Sequence, residues 1–382
     1  MTVPTIAGQR ATAATRGVQQ ESRVIDMHRD IFLLEPSAAP LTVMSAMINR
    51  RSVFNPEFKA LEDERVPERD TLDGAVADGV TTTITVDNGG YWHPNVLWRN
   101  QQTDEVCRIV SKVGNDLTVE RGWGGTTAAA MSDGDTISSL GGAAEEGALS
   151  EESITTKKTV QINFTQIQRW PFAVTNTLME SDLYGSKELP WQQKKGGIDQ
   201  LVRIESSFFW GQAFEDLTGN EPRRSTGGLD PFIVTNDTDL GGTFDMISFY
   251  GVSEKTFRYG AKDKLFFASR GIVANISADA HAQLELMPKD KTLGMDITRL
   301  VTPHGRLRIM SHDLFDGAIY RGHAYAVDPA NVGYRFMRNR DNRLVTNIQV
   351  NDRDGRKDEF RGEVGFFRVQ ERTHHRFTNG VT

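Results

Sequence analysis

Two pairs of neighbouring acidic residues are the first candidates for chemistry in this sequence. Asp133 and Asp135 flank Gly134, and Glu145 is followed directly by Glu146. Paired carboxyl groups can do general acid–base work when one is protonated and the other is not. Both pairs, however, stand between short β-branched runs, where acids commonly mark exposed hairpin turns. The sequence therefore favours turns on a solvated surface over an acid–base pair.

His374 and His375 are candidates for binding a metal ion. They lie in an alternating run, and adjacent residues of a strand point to opposite faces, so the two imidazoles cannot readily share one ion. A structural or exposed role is the better interpretation.

Two glycine-containing stretches are similar to ligand-binding loops. Gly122–Gly125 resembles a phosphate loop, but it lacks the following Lys-Ser/Thr and opens no helix, so a turn is predicted. The stretch NDRDGRKDEFR is similar to a calcium loop. With Gly355 at that loop's sixth position, Val350 and Arg361 fall where carboxylates are required. A polar turn is predicted there too.

The sequence has no P-loop, no dinucleotide-type glycine motif, no H-E-x-x-H and no nucleophile elbow. We therefore assign no catalytic, cofactor-binding or metal-binding residue, and expect no cofactor.

The net charge of −7 gives no whole-protein case for nucleic-acid binding. Cys107 is the single cysteine, which excludes an internal disulfide and a zinc site built on paired cysteines. No signal peptide or 18-residue apolar run is evident, so we expect a soluble protein made in a reducing cytosol.

The pattern along the chain predicts an α+β protein with a β-rich insertion. Residues 1 to about 30 are polar and unable to bury much surface, and a short helix is expected from about Leu41. Residues 75–148 alternate in short β-branched runs, with a hairpin whose turn is Gly114–Asp116. They predict a small all-β unit.

The strongest helical periodicity covers residues 186–216. Its apolar stripe includes Leu201, Phe208 and Phe209, and it is expected to pack on strands at the C-terminal end of the chain. Those strands offer a complementary apolar surface, formed by Phe336, Val345, Ile348, Phe366 and Phe367. Further helices are expected at 243–259 and 277–287, with a buried strand, KLFFAS, between them.

The ordered set of segments resembles the SU-ten-like family of phage major head proteins from about residue 16 to 378. The pieces that carry the resemblance are TRGVQ, DIFLLEPSAAPL, LTVERGWGGTTAAAMSDGDTI, GGAAEEGALS, QINFTQIQRWPFAVTNT, RIESSFFWG, GGLDPFI, LVTPHGRLRI and GEVGFFRVQERTHHRFTNG. The family has the Hong Kong 97-type capsid fold. The resemblance implies that fold here, with the small β domain inserted in its extension loop.

The resemblance also implies a map of segments along the chain. They are an N-terminal arm (1–35), a helix and first extension-loop strand (36–74), the inserted β domain (75–148), the returning extension-loop strand (149–185), a spine helix in the peripheral domain (186–216), the axial domain and connections (217–335), and peripheral-domain strands (336–382).

The implied function is that of a major capsid protein without enzymatic activity. It would self-assemble into hexamers and pentamers and form an icosahedral or prolate head around phage dsDNA, without sequence-specific contact. Portal, scaffolding and decoration proteins are the expected partners, and no membrane is involved. Assembly is expected in the host cytoplasm, and the assembled protein is expected in the virion.

Some capsids of this fold form Lys–Asn cross-links, and Lys157, Lys158 and Lys194 lie in or near the relevant region. A tail or adaptor protein, and a hydrolase using the acids of the β unit, are the alternatives.

Overall fold

The computed structural model describes residues 39–147, 153–182, 187–242, 246–279, 284–286 and 298–380. The described chain divides into two compact units. Unit 2 is Leu61–Gln161, and unit 1 comprises the residues on either side of it. Each unit has its own hydrophobic core.

The helices in the described ranges are α1 (Pro40–Ile48), α2 (Asn176–Glu180), α3 (Glu188–Trp210), α4 (Met246–Phe257), α5 (Arg270–Asp279) and α6 (Gly317–Tyr320). The strands are β1 (Arg50–Val53), β2 (Glu57–Glu62), β3 (Arg69–Thr71), β4 (Thr83–Thr85), β5 (Val96–Asn100), β6 (Val106–Val113), β7 (Asp116–Glu120), β8 (Thr136–Gly142), β9 (Thr159–Phe164), β10 (Gln166–Thr175), β11 (Phe214–Asp216), β12 (Arg223–Ser225), β13 (Asp237–Asp239), β14 (Asp263–Ala268), β15 (Leu284–Leu286), β16 (Thr298–Thr302), β17 (Gly305–Ser311), β18 (Ala324–Val327), β19 (Val332–Met337), β20 (Arg343–Val345), β21 (Gly355–Arg368) and β22 (His375–Thr378).

Helix α3 occupies most of the segment predicted as a long helix, but it ends at Trp210, six residues before the predicted end. Gly211 follows in an extended conformation and β11 begins at Phe214, so the helix does not continue to the predicted end. The predicted first residue, Ser186, lies outside the described residues. Gly196 and Gly197 inside α3 permit close packing, since a Cβ there would lie 3.1 Å from the Trp170 ring and 3.3 Å from that of Phe360.

A five-stranded sheet in unit 1 supports α3. Its order is β1-β19-β21-β10, with β20 also paired to β21. Phe208 of α3 packs on this sheet as predicted, with its ring centroid 4.9 Å from that of Phe366. The prediction for Phe209 is wrong, because its ring contacts Phe315 and Tyr325 instead. Successive helical residues are rotated by about 100°, so the two phenylalanines fill different sides of one core.

The second sheet of unit 1 has seven strands in the order β13-β22-β18-β14-β17-β16-β15. The predicted strand KLFFAS is β14, and α4 lies within the predicted helix 243–259, of which residues 243–245 are outside the described part. The helix predicted at 277–287 is wrong: α5 ends at Asp279 and residues 284–286 form β15. The assignment of 336–382 to one strand group also needs correction, because β22 pairs with β13 and β18 and places Phe377 in the core of this sheet.

Unit 2 is a six-stranded antiparallel sheet in the order β3-β8-β5-β6-β7-β4. A bridge between Leu72 and Val86 joins its two outer strands, so the sheet closes on itself. The predicted hairpin is confirmed as β6–β7. The unit is longer at both ends than the predicted 75–148, since β3 and the chain leading to it complete the closure.

Strand β2 pairs with β9 as a separate two-stranded sheet, and β11 pairs with β12 as a second one. No helix in the described ranges is long and apolar enough to cross a membrane.

Candidate assembly surface

The acidic pairs of unit 2 have structural partners. Asp135 is buried and accepts hydrogen bonds from the Asn100 side chain and the backbone N–H of Ser132, each at 3.0 Å. Its predicted place on a solvated surface is therefore wrong. Asp133 is exposed and accepts from the N–H of Gly74. Hydrogen bonds thus hold both carboxylates in turns, so the pair stabilises the fold of unit 2.

Glu145 and Glu146 lie in an exposed coil that follows β8, as predicted. Neither carboxylate has a hydrogen-bond or ion-pair partner among the residues that the structure describes. They are therefore free to contact another molecule.

The two histidines are buried and point apart. His374 accepts from the N–H of Asp328 and donates to the carbonyl of Val369, while His375 lies 2.9 Å from the hydroxyls of Thr238 and Thr256. Burial lowers the pKa of each to about 4. Within the described ranges, no three His, Cys, Asp or Glu side chains come close enough to hold a metal ion.

The glycine loop at 122–125 is a turn, as predicted, and its first residue binds a carboxylate of the protein itself. Gly122 adopts a left-handed conformation (φ 65°), and its N–H donates to Glu105. Two nitrogens of the Arg121 guanidinium donate hydrogen bonds to the same carboxylate, at 2.7 and 2.8 Å. Burial alone would raise the pKa of Glu105, but the hydrogen bonds from Arg121 and Ala129 outweigh it and hold that pKa below its usual value.

The buried Glu105–Arg121 pair was not singled out in the sequence. Its signal is an Arg directly before the glycine loop, but its partner lies 16 residues earlier, just before β6. The prediction of a polar turn for the stretch similar to a calcium loop is only partly right, because the turn is confined to residues 351–354 and the residues from Gly355 onward belong to β21. Asp358 of this strand accepts hydrogen bonds from Arg356, Asn347 and Gln193.

Cys107 is completely buried in the core of unit 2. Burial, followed by the neighbouring Glu105 carboxylate, raises the pKa of its thiol to about 12. The thiolate that disulfide exchange requires is therefore scarce at neutral pH.

Three places in unit 1 carry exposed apolar side chains on neighbouring elements. They are the outer face of α1, the strands β9 and β10, and the β11–β12 hairpin, with Val43, Met47, Ile48, Ile162, Ile167, Phe214 and Leu217 as their members. Phe214 and Leu217 are 62% and 68% exposed although they share one hairpin. Exposed apolar surface of this kind is typical of a protein that is covered by another molecule.

Comparison with known proteins shows the family to which the chain belongs. The family model described as SU10 major capsid protein matches residues 5–380. A major capsid protein of Pseudomonas phage PaMx41 is 25% identical over 286 residues, which are 70% of this chain and 67% of that protein. Two solved structures, the capsids of native and of empty GTA particles, superpose with TM-scores of 0.51 and 0.50 at 13% and 12% identity. They cover 98% and 97% of this chain, and 99% and 98% of their own chains are matched. The chain therefore belongs to the SU10 major capsid protein family of phages and has a Hong Kong 97-type fold.

Proposed function

We propose that this protein assembles through hexamers and pentamers into the shell that encloses the phage dsDNA. The observation that carries the proposal is the family match over residues 5–380. The exposed apolar side chains of α1, of β9–β10 and of the β11–β12 hairpin support it, because copies of one chain could cover them on association.

The segments of the chain have the following roles in this proposal. Helix α3 is the spine helix, the seven-stranded sheet belongs to the axial domain, and the five-stranded sheet belongs to the peripheral domain. The paired strands β2 and β9 are the extension loop that carries unit 2. Residues 1–35, the proposed N-terminal arm, lie outside the described residues.

The shell is proposed to be noncovalent and without catalytic activity. The buried Cys107 thiol, with its raised pKa, opposes disulfide links between subunits. Portal, scaffolding and decoration proteins are the proposed partners, and assembly is proposed to take place in the host cytoplasm. A hydrolase in unit 2 is disfavoured because the Asp135 carboxylate is already bound by Asn100 and Ser132.

The experiment is to produce the protein alone and with its scaffolding protein, and to examine it by negative-stain microscopy and sedimentation. Closed shells or capsomers are expected, which after boiling in SDS with reductant run at the monomer mass of 42.6 kDa. Rings or tubes would indicate a tail or adaptor protein. A strictly monomeric protein at high concentration would contradict the proposal.

A further inference from the structure

An open groove of about 500 Å³ lies between strand β10 and the C-terminal half of helix α3. Its lining includes Ile167 and Gln168 from the strand, and Arg203 and Ser207 from the helix. All of these residues belong to unit 1, so the groove is complete within one unit of one subunit. Its volume lies within the range of ordinary ligand-binding sites, about 300–1,000 Å³, and it can hold several side chains of a partner.

The strand side of the groove is a sheet edge with open backbone groups. Strand β10 is the last strand of the five-stranded sheet and pairs with β21 along its whole length. The N–H of Thr165, just before β10, donates to Pro56 and not to β21. Since backbone groups alternate in direction along a strand, those of Ile167 and Arg169 point to the same open edge. They have no other backbone partner in the described part of the chain, so a partner can bind them.

One polar atom in the groove wall is buried without a partner. Gln168 is 7% exposed, and its amide nitrogen donates to Ser207 at 2.9 Å. Its carbonyl oxygen is buried and accepts no hydrogen bond from the described residues. An unpaired buried acceptor keeps its full desolvation penalty, so a donor brought into the groove removes that penalty once the amide turns toward it.

The helix side of the groove carries a positive charge without a counter-ion. Arg203 is exposed and lies over the Trp170 ring, with its guanidinium carbon 4.1 Å from the ring centroid. It has no carboxylate partner within the described ranges. Because a ring contact occupies one face of the guanidinium, its N–H donors stay available to an anion. The groove therefore fits a partner that presents a carboxylate together with a hydrogen-bond donor.

The β11–β12 hairpin of unit 1 presents such groups. Its strands have three residues each, and so short an isolated hairpin is marginally stable in water. Residues 217–223, which include the whole connection between the strands, are all exposed, and none of them lines the groove of its own subunit. The tip of the hairpin is therefore available to another copy of the chain.

Glu221 supplies the carboxylate. The other two acids of the hairpin are already engaged, since Glu215 pairs with Arg224 and Asp216 accepts hydrogen bonds from Thr218. The Glu221 carboxylate has no hydrogen-bond or ion-pair partner among the residues that the structure describes. It is therefore the acid of this hairpin that can bind an arginine of another subunit.

We infer that the groove receives the tip of the β11–β12 hairpin from a second copy of the chain, with Glu221 bound by Arg203. Asn220, directly before Glu221, has an amide donor of the kind that the Gln168 carbonyl lacks. The complementarity of charge and of hydrogen-bonding groups selects this occupant. The inference rests on the proposed function, since it names a contact through which the subunits associate.

An apolar contact accompanies the polar ones. Leu217, at the start of the connection, is 68% exposed, and Ile167 in the groove lining is 50% exposed. Both side chains lose contact with water when the tip occupies the groove, which favours association.

Carbodiimide cross-linking of assembled particles tests the contact directly. In an Arg203→Lys variant, which keeps the positive charge, the reagent is expected to join position 203 to Glu221. Mixing ¹⁵N-labelled with unlabelled subunits before assembly shows by mass spectrometry whether the joined peptides come from different chains. Adding Glu221→Gln is expected to abolish this cross-link. Particles that yield no such cross-link, or yield it only within one chain, would overturn the inference.

Charge reversal supplies the second arm, which decides if the lysine variant does not assemble. Arg203→Glu is expected to raise the subunit concentration needed for half-assembly about tenfold, the equivalent of one interfacial ion pair. Adding Glu221→Arg to that variant is expected to restore assembly, whereas a folding defect at position 203 would persist. Arg353→Glu makes the same charge change on an exposed turn and is expected to leave assembly unchanged.

The remaining outcomes separate the two proposals. Wild-type protein that never assembles contradicts the proposed function itself. Wild-type shells together with normal assembly of Arg203→Glu contradict only the inference. A cross-link from position 203 to the scaffolding protein instead of Glu221 overturns the inference. If unassembled Arg203→Glu subunits assemble normally but lose retention on duplex DNA at low salt, the groove binds nucleic acid and the inference is likewise overturned.

Discussion

The carboxylate of Glu205 lies 2.8 Å from Nε2 of His312, and both side chains are completely buried. The same carboxylate accepts hydrogen bonds from the backbone N–H groups of Leu41 and Thr42 at 2.7 and 2.6 Å, and from the Thr42 hydroxyl at 2.5 Å. A residue of α3 thus satisfies the free N–H groups at the start of α1. Three distant parts of the chain meet at one side chain.

Replacing Glu205 by Ala is expected to unfold or strongly destabilise unit 1. The change leaves two buried backbone donors, the Thr42 hydroxyl and the His312 ring without their acceptor, and each unpaired buried group costs about 1–3 kcal/mol. We expect a loss of about 3–5 kcal/mol, as for breaking a buried charged pair. The midpoint of urea unfolding measures it.

The matched control is Glu215→Ala, which removes a partly exposed ion pair with Arg224 on the β11–β12 hairpin. Such pairs contribute about 0–1 kcal/mol, so the control should unfold at nearly the wild-type midpoint. Equal midpoints for the Glu205 and Glu215 variants would show that the buried carboxylate does not hold α1.

Phe208→Ala and Phe209→Ala are each expected to lower stability by about 3–5 kcal/mol, because both rings are completely buried. The Phe208 ring packs on Phe366 of the five-stranded sheet, and the Phe209 ring packs on Tyr325 of β18. Thermal unfolding and the soluble yield measure the effect.

Phe214→Ala makes the same truncation at a ring that is 62% exposed, and it should be nearly silent in the unassembled subunit. Gln212→Ala, also at an exposed position, should be silent as well. Unchanged melting of both Phe208 and Phe209 variants would contradict the assignment of α3 as the stiff centre of unit 1.

The sequence predicted those elements whose residue pattern lies within a few neighbouring positions of the chain. The 3.6-residue spacing of α3 and the Gly114–Asp116 turn of the β6–β7 hairpin each lie within one short window. Glu205 could not be found in that way, since its partners are 107 and 163–164 residues distant and its position in the helix pattern is unremarkable for a polar residue. The placement of β22 was missed for the same reason, because its pairing with β13 depends on a segment about 140 residues earlier.

The burial of the Gln168 side chain was also beyond sequence analysis. The resemblance implied a returning extension-loop strand at 149–185, but the side-chain oxygen of Gln168 has no partner among the described residues only because α3 packs over that side chain.

Acidification is expected to destabilise unit 1 between pH 6.5 and 4. Burial lowers the pKa values of His374 and His375 from 6.5 to about 4, so in this range the unfolded chain binds protons that the folded chain does not. The free energy of unfolding therefore falls as the pH falls, by at most about 1.4 kcal/mol per pH unit for each histidine. Urea midpoints measured across this range test it.

A variant with His374→Gln and His375→Gln should show a flatter pH dependence, even though it is less stable at pH 7. His304→Gln removes an exposed histidine and should leave the wild-type slope unchanged. An identical slope in the buried double variant would show that other groups set the acid response.

Unit 2 is expected to fold alone when it is produced as residues 61–161. Its closed sheet surrounds a separate core that includes Trp92, Trp98 and Ile137, and the Glu105–Arg121 pair lies inside it. A fragment limited to 75–148 lacks β3 and Leu72, which complete the closure, so that fragment should be unfolded or much less stable. Circular dichroism with thermal melting compares the two fragments, which differ only at their ends.

Replacing 61–161 by a short Gly/Ser linker should leave unit 1 folded, because the cores of the two units share no residue. If the longer fragment shows no cooperative melting, or if the linker variant is insoluble, the inserted unit depends on the rest of the subunit and the boundary at Leu61 and Gln161 does not separate independently folding domains.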